Sequence, residues 1–411
     1  MQEVTIEIDG LAPGGDAVGR QRDPRGASGP NDGRATFVPL AAPGERVRAR
    51  LEREKARVAW AELVAIERPS PDRVAPVCPL FGACGGCQWQ HVSIDVQRDA
   101  KRRIVERALG TPIVAIAPAG PVFGYRDRAK LTVGSGGRLG FHARRSHEIV
   151  DVTSCPLLGP ELARALPALR RLAGGLTAGT ELDVQAGAEG VHVNLVQADA
   201  KAAAAHARSE IDRLEAAGVV GLSLAGKPTL GRAEVDVAEP GGAPLAIPAG
   251  GFAQVGRAAN AALVAAVREA VGPSPGAVGE LYAGSGNFTR RLLSVATAVY
   301  ASDGDAAARS RGARNAPGAI WSARPAAVAV DTVLLDPPRE GADRLHLEAA
   351  RRARHRIVYV SCDPQTLGRD ARALAAGGFH LTQAIALDLM PQTFHVEVVA
   401  IFERISDRIS A

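Results

Sequence analysis

The chain has 411 residues and a net charge of +5, and 46% of its residues are apolar. This length exceeds what one hydrophobic core organises, so we expect two or three domains. No apolar run reaches the roughly 18 residues of a membrane helix, and the N-terminus lacks a signal-peptide pattern, which together predict a cytoplasmic protein. The small basic excess is compatible with a polyanionic partner without requiring one. Five cysteines in such a chain favour metal binding or catalysis over disulfides.

Residues 1–68 alternate apolar and polar side chains in short runs that glycine- and proline-rich turns separate. This alternation predicts a small antiparallel β-barrel or sandwich. Inside it lies the basic stretch GRQRDPRGASGPNDGRA (residues 19–35), which has no periodicity. We interpret this stretch as a solvated insertion rather than as an RNA contact.

The mixture of alternating strands and helices in residues 69–250 predicts an α+β domain with a sheet. A basic amphipathic helix, VQRDAKRRIVERALG (residues 96–110), precedes a series of alternating strands. One further helix is expected at KAAAAHARSEIDRLEAAG (residues 201–218).

A cysteine cluster lies near the start of this region. Cys78, Cys84 and Cys87 share one glycine-rich loop, and Cys155 is expected in a loop just after a strand. Three thiolates and a remote fourth can hold a [4Fe–4S] cluster, whereas four thiolates also suit a structural zinc ion. The spacing leaves both open, and unliganded buried cysteines are the third interpretation.

From residue 251 helices and strands alternate, which predicts a doubly wound, mostly parallel sheet that binds ligands at the carboxyl ends of its strands. A strand runs into LYAGSGNFT (residues 281–289), where Gly284 and Gly286 present bare backbone to a nucleoside cofactor. Asp303, at the end of the next strand, can accept hydrogen bonds from ribose hydroxyls, with Asp305 as the alternative. A tight turn without a ligand is the structural alternative.

Three further residues follow or open strands of this sheet. In LLDPPREG, Asp336 follows an apolar strand and two stiff prolines fix it at the sheet edge. Cys362 ends a strand just before a helix, a position expected to expose the thiol and lower its pKa. Glu397 opens the last strand, on the same face as His395. A core thiol and a solvated edge charge are the alternatives, but together Cys362 and Glu397 look like a nucleophile and a base.

The motifs LYAGSGNFT, DPPR, VSCDPQTL and MPQTFHVE, together with CGGC, resemble those of bacterial RNA uracil-5 methyltransferases that use S-adenosylmethionine. The resemblance covers nearly the whole chain. It implies an RNA-binding TRAM barrel at residues 1–68, a central α+β domain with an iron–sulfur cluster at 69–250, and a Rossmann-like catalytic domain at 251–411. It also implies methyl transfer to C5 of a uridine, with ribosomal RNA favoured over transfer RNA, by a monomer that is not bound to a membrane.

The resemblance assigns roles to individual residues. It implies that Cys362 is the nucleophile that adds to C6 of the base and that Glu397 is the general base. The implied residues of the cofactor and target-base pocket, beside the glycine turn, are Gln254, Tyr282, Asn287, Asp303 and Asp336. The implied [4Fe–4S] ligands are Cys78, Cys84, Cys87 and Cys155.

The chain departs from the family pattern in three places, one of which is Gly256, where an asparagine is common. Asp303 stands where the family usually has glutamate, and residues 315–331 form a shorter segment that lacks the usual acidic residue. The shortened segment suggests the alternative of a catalytically degenerate, RNA-binding iron–sulfur protein on the same scaffold.

Overall fold

The computed structural model describes residues 2–21, 33–113, 116–196, 200–232, 234–239 and 242–405. Most of the basic insertion predicted at residues 19–35 lies outside these ranges. Within them, every helix is too short or too polar to cross a membrane.

The N-terminal strands close into a barrel, which confirms the predicted small β-barrel. The strands are β1 (Glu3–Leu11), β2 (Ala17–Gln21), β3 (Ala35–Val38), β4 (Arg46–Glu54) and β5 (Val58–Arg68). They are hydrogen-bonded in the order β1-β2-β3-β5-β4. Successive side chains of a strand point to opposite faces, so β4 buries Val47, Ala49 and Leu51 and turns its arginines outward.

A helix and a short strand come next, α1 (Ile94–Leu109) and β6 (Ile116–Pro118). The Ser93 hydroxyl accepts a hydrogen bond from Val96 N–H at 3.4 Å and caps the helix N-terminus. Gly110, with φ 67°, ends the helix in the left-handed conformation that glycine tolerates.

The central region is built on a seven-stranded sheet with the order β13-β12-β11-β10-β7-β8-β9. Its strands are β7 (Arg128–Val133), β8 (Leu139–His142), β9 (Ile149–Asp151), β10 (Glu181–Ala186), β11 (Val191–Val196), β12 (Val219–Leu224) and β13 (Lys227–Leu230). Its helices are α2 (Pro160–Ala173), α3 (Ala200–Ser209) and α4 (Ile211–Ala216). A separate hairpin pairs β14 (Glu234–Val237) with β15 (Leu245–Pro248).

The helices of this region differ from the prediction. The single helix expected at residues 201–218 is broken at Glu210, whose ψ of 2° leaves the helical region, into α3 and α4. Helix α2 was not predicted, although Leu162, Leu166 and Leu169 recur at helical spacing and are buried against the sheet.

The C-terminal sheet has eight strands in the order β18-β17-β16-β19-β20-β22-β21-β6. Its later strands are β16 (Ala277–Leu281), β17 (Ala298–Ser302), β18 (Ile320–Ser322), β19 (Thr332–Leu335), β20 (Arg356–Ser361), β21 (Phe379–Asp388) and β22 (Glu397–Arg404). The helices are α5 (Arg257–Val271), α6 (Thr289–Leu292), α7 (Ala306–Asn315), α8 (Arg344–Ala350) and α9 (Pro364–Ala375). Strands β16 to β20 are parallel, and β22 inserts antiparallel between β20 and β21. The mostly parallel, Rossmann-like sheet is therefore confirmed.

Helix α1 and strand β6 pack with this C-terminal sheet, although the predicted boundary assigned them to the central domain. Ile116 pairs with Ala386 of β21, and α1 lies against α9. A side chain at Gly368 of α9 would lie 2.4 Å from the Ala108 carbonyl oxygen, so glycine permits this close helix contact. The apolar face of α1 explains the placement, since Val105 is buried in the core of the C-terminal sheet.

Candidate active site

A cavity of about 190 Å³ opens at the carboxyl ends of β16, β17 and β19, beside the start of α5. Six of the seven predicted cofactor residues line it: Gln254, Tyr282, Gly284, Asn287, Asp303 and Asp336. The seventh, Gly286, lies in the same turn and packs on Trp321, which an added Cβ would approach to 3.4 Å. The structure thus brings the predicted residues together where a doubly wound sheet binds its ligand.

Asp303 holds the glycine turn from the neighbouring strand. Its Oδ2 accepts a hydrogen bond from Gly284 N–H at 2.8 Å, and its Oδ1 accepts one from Asp305 N–H at 2.8 Å. The Asp305 carboxylate instead caps α7 by accepting from Ala307 and Ala308 N–H. Both carboxylates line the cavity, and that of Asp303 also binds the glycine turn.

The chain at this turn adopts an uncommon conformation. Tyr282 has φ +61°, a region that bulky residues rarely occupy, and its hydroxyl accepts a hydrogen bond from Asp343 N–H at 3.2 Å. Gly284, with φ +55°, leaves open space where a side chain would project. The bare backbone and the Asp303 carboxylate are groups that bind the nucleoside part of a cofactor.

Two residues of this region were missed by the sequence prediction. Phe252 lines the cavity and is 72% exposed, which leaves its ring available for stacking on a flat ligand. Glu280 lies behind the turn, where burial and the nearby Asp336 and Asp303 raise its pKa to about 8. The signal for Phe252 was the aromatic residue in GGFAQVG. The signal for Glu280 was a glutamate inside the otherwise apolar strand β16.

Cys362 lies between the end of β20 and the N-cap residue of α9, Asp363. The thiol is half-buried, and burial and the carboxyl of Glu397 raise its pKa to about 11. The predicted lowering of the pKa is therefore wrong, and the predicted exposure is only partial. Desolvation and the carboxyls of Glu397, Asp336 and Asp363 raise the pKa by more than the cation of Arg339 lowers it.

Glu397 opens β22 and is only 4% exposed. Burial and the carboxyl of Asp336 raise its pKa well above the usual glutamate range, and burial raises the pKa of Asp336 to about 7. The negative charge of each carboxyl therefore disfavours ionisation of the other. Since Asp336 also lines the cavity, it joins the cofactor region to Cys362 and Glu397.

Arg339, in the DPPR motif, is a third residue that the sequence prediction missed. Its guanidinium lies 3.2 Å from His395 Nε2, and its charge lowers the pKa of both Cys362 and Glu397. Burial, and then Arg339, lower the pKa of His395 to about 3, so this imidazole is neutral. His395 precedes β22 rather than lying within it. The sequence signal for Arg339 was a cationic residue directly after the two stiff prolines of the DPPR motif.

The four predicted metal ligands come together apart from Cys362. Burial raises the pKa of Cys84, Cys87 and Cys155, to about 11 for Cys87, and the four thiols influence one another electrostatically. As predicted, Cys155 lies in the loop after β9. Gly86 N–H donates to Cys84 Sγ at 3.4 Å. Among the described residues, no three His, Cys, Asp or Glu side chains are arranged around a single metal ion.

Two family models match the chain. The model described as tRNA (Uracil-5-)-methyltransferase matches residues 324–405, and that of the TRAM domain matches residues 1–64. A protein of Caulobacter vibrioides named as an uncharacterized RNA methyltransferase is 35% identical, over 98% of this chain and 100% of the relative. A 23S rRNA (uracil(1939)-C(5))-methyltransferase of Pectobacterium atrosepticum is 32% identical, over 98% of this chain and 94% of the relative.

A solved structure shares the fold over nearly the whole chain. It is the tRNA (uracil-54, C5)-methyltransferase of Pyrococcus abyssi in complex with S-adenosyl-L-homocysteine. The TM-score is 0.73 with 25% identity, and the alignment covers 96% of this chain and 99% of that one.

Proposed function

This chain belongs to the family of RNA uracil-C5 methyltransferases, and we propose that it transfers a methyl group from S-adenosylmethionine to C5 of a uridine in RNA. One observation on the residues of this chain supports the proposal most directly. Asp336 lines the cofactor cavity and is at the same time an electrostatic neighbour of Cys362 and Glu397. Retention of all three residues favours the enzyme over the catalytically degenerate alternative.

The proposed reaction begins at Cys362. When bound, S-adenosylmethionine supplies an electrophilic methyl group, but C5 of uracil is too weak a nucleophile to accept it unaided. The Cys362 thiolate forms a bond to C6, and the electrons of the C5–C6 double bond move toward the C4 carbonyl oxygen. C5 then bonds to the methyl carbon as the carbon–sulfur bond of the sulfonium breaks. Arg339 favours the thiolate in this step because its charge opposes the neighbouring carboxyls.

The second half of the reaction belongs to Glu397. The methylated adduct still carries the proton on C5, and the Glu397 carboxylate removes it. The C5–C6 double bond re-forms, the bond from C6 to sulfur breaks, and the thiolate is released. The uridine must leave its stack to reach Cys362, at a cost of a few kcal/mol that is smallest in a loop or bulge.

The barrel offers a surface for RNA. Arg53 lies 3.7 Å above the ring of Trp60, which stacks on Phe37 with centroids 5.8 Å apart. The outward arginines of β4 add charge, although Glu3, Glu7 and Glu62 pair with several of them. Stacking rings and cations are the groups that bind single-stranded RNA.

We propose ribosomal RNA as the substrate because several relatives are named for 23S rRNA, and we separately propose a cytoplasmic monomer. The test incubates the protein with labelled S-adenosylmethionine and transcripts of either 23S rRNA or transfer RNA. Label at C5 of one uridine in the ribosomal transcript is expected. Label only in the transfer RNA would reverse the substrate assignment, and label in neither would contradict the activity.

Replacing Asp303 with asparagine should weaken S-adenosylmethionine binding. A hydrogen bond to a charged group contributes about 1.5–3 kcal/mol, so the dissociation constant should rise roughly 10- to 100-fold. Titration calorimetry measures it. The matched control is Asp305→Asn, because asparagine retains the α7 cap and that carboxylate is otherwise engaged. Equal loss of affinity in both variants would contradict the assignment of Asp303 to the ribose.

We also propose that Cys78, Cys84, Cys87 and Cys155 hold a [4Fe–4S] cluster. The donor set consists of four thiols, and the positive charge of the neighbouring Arg126 partly offsets the rise that burial causes in the pKa of Cys84, Cys87 and Cys155. Since methyl transfer involves no net electron transfer, we assign the cluster a structural role.

Anaerobically prepared protein should contain about four iron and about four sulfide ions per chain. Cys84→Ser should lower both contents and weaken folding or RNA binding, whereas Cys362→Ser should leave the metal content unchanged. Metal and sulfide analysis with visible absorption checks this. One zinc ion per chain and no sulfide would overturn the cluster.

A further inference from the structure

Gln392 lies in the loop of residues 389–396 that leads from β21 into Glu397. It is 5% exposed, and its φ of +69° places a residue other than glycine in the left-handed region. Such a conformation is uncommon and persists only where the surroundings hold it. The contacts of Gln392 therefore bear on how the loop before Glu397 is fixed.

The backbone carbonyl of Gln392 is hydrogen-bonded by residues at the end of the cysteine loop, the glycine-rich loop that carries Cys78, Cys84 and Cys87. It accepts hydrogen bonds from the N–H groups of Gln88, at 3.1 Å, and Trp89, at 3.0 Å. These two residues directly follow Cys87 in the chain. Trp89 is fully buried, and its indole N–H donates to the Gly15 carbonyl of the barrel at 3.0 Å. These hydrogen bonds thus connect the barrel, the cysteine loop and the loop before Glu397.

The backbone N–H and the Oε1 of Gln392 form a reciprocal pair with Gln97 of α1. Gln97 Nε2 donates to Gln392 Oε1 at 3.0 Å, and Gln392 N–H donates to Gln97 Oε1 at 2.8 Å. Gln97 is 1% exposed, so both bonds are shielded from water. One turn further along α1, buried Lys101 pairs with Asp388 and donates to the Met390 carbonyl at 3.0 Å. Helix α1 therefore holds this loop at its start and in its middle.

We propose that Gln392 is a positioning residue for Glu397, held in its strained conformation by Gln97 and by the cysteine loop. This inference rests on the proposed function. In that function Glu397 acts after methyl transfer, when it removes the C5 proton. A loosened loop should therefore slow release of the enzyme from the methylated base more than it slows methyl transfer, and the covalent protein–RNA adduct should accumulate.

The test uses Gln392→Ala and Gln392→Gly in the full-length protein. Glycine tolerates the positive φ, and Gln97 Nε2 keeps the carbonyls of Trp89 and Val92 as acceptors at 3.0 Å, so both variants should fold. With a transcript that the wild-type protein methylates, kcat should fall about 10- to 100-fold while affinity for S-adenosylmethionine is unchanged. The adduct should be visible on denaturing gels, and deuterium exchange in residues 389–397 should become faster.

The matched control is Gln383→Ala, an exposed glutamine on β21, which should behave as wild type. Wild-type turnover without adduct in Gln392→Gly would overturn the inference, as would a lower kcat accompanied by lost cofactor affinity and no adduct. Glu397→Gln serves as the reference for an adduct. If that variant accumulates none, the proposed chemistry fails, and unchanged deuterium exchange in Gln392→Gly would then overturn the inference separately.

Discussion

Cys362→Ala is expected to abolish methyl transfer, with kcat lower by on the order of 10⁴-fold or more, because removal of a nucleophile removes the covalent route. Cys362 is not among the described residues that line the cofactor cavity, so affinity for S-adenosylmethionine should be retained. The variant should form no adduct. The measurement combines transfer of labelled methyl groups, denaturing gels and titration calorimetry.

The raised pKa of the Cys362 thiol adds a pH dependence to this prediction. At neutral pH the free protein holds a thiol, whereas addition to C6 requires the thiolate. The wild-type kcat/KM should therefore increase between about pH 6 and about pH 9. A rate that falls over this range, or an alanine variant with wild-type activity, would contradict the role of Cys362.

Glu397→Gln should methylate one uridine per chain and then stop. Glutamine cannot remove the C5 proton, and loss of a general base costs about 10²- to 10⁴-fold in rate. The methylated RNA should therefore remain bonded to Cys362 and migrate with the protein on a denaturing gel. Label from the methyl group of the cofactor should be found in that band.

Glu403→Gln is the matched control for this experiment. Glu403 lies on the same strand, β22, but pairs with Arg356 at 3.0 Å, away from Cys362. This variant should turn over as the wild type does. Repeated turnover by Glu397→Gln without an adduct would assign the proton removal to another group, and Asp336, whose carboxyl raises the pKa of Glu397, would be the first to test.

The parts of the fold and site that the sequence predicted depend on local patterns. Alternation in β4 predicted the barrel, and buried runs ending in Asp303, Asp336 and Cys362 predicted parallel strands that meet at one edge. Strand ends of one parallel sheet share an edge, so the grouping of Asp303 and Asp336 around a cavity, with Cys362 near Asp336, also followed from sequence. Their roles as cofactor and catalytic residues remain predictions.

The parts that the sequence did not predict depend on contacts between distant segments. The raised pKa of Cys362 results from burial beside Glu397 and Asp336, whereas the local signal was a helix N-terminus alone. Arg339 lowers the pKa of Cys362 and Glu397 because the fold brings these distant residues near it. The placement of α1 and β6 in the C-terminal sheet requires pairing between Ile116 and Ala386, which no local pattern encodes.

That pairing has a consequence for how the protein is made and divided. The edge strand β6 emerges from the ribosome long before β21, so the sheet that carries Cys362 and Glu397 cannot be finished until the last strands are synthesised. Such long-range pairing folds slowly. A fragment that begins at residue 251 would expose the edge of β21 and the surface of α9 that α1 covers, and exposed edges aggregate. The catalytic part that begins at residue 251 is therefore not expected to fold as an independent domain.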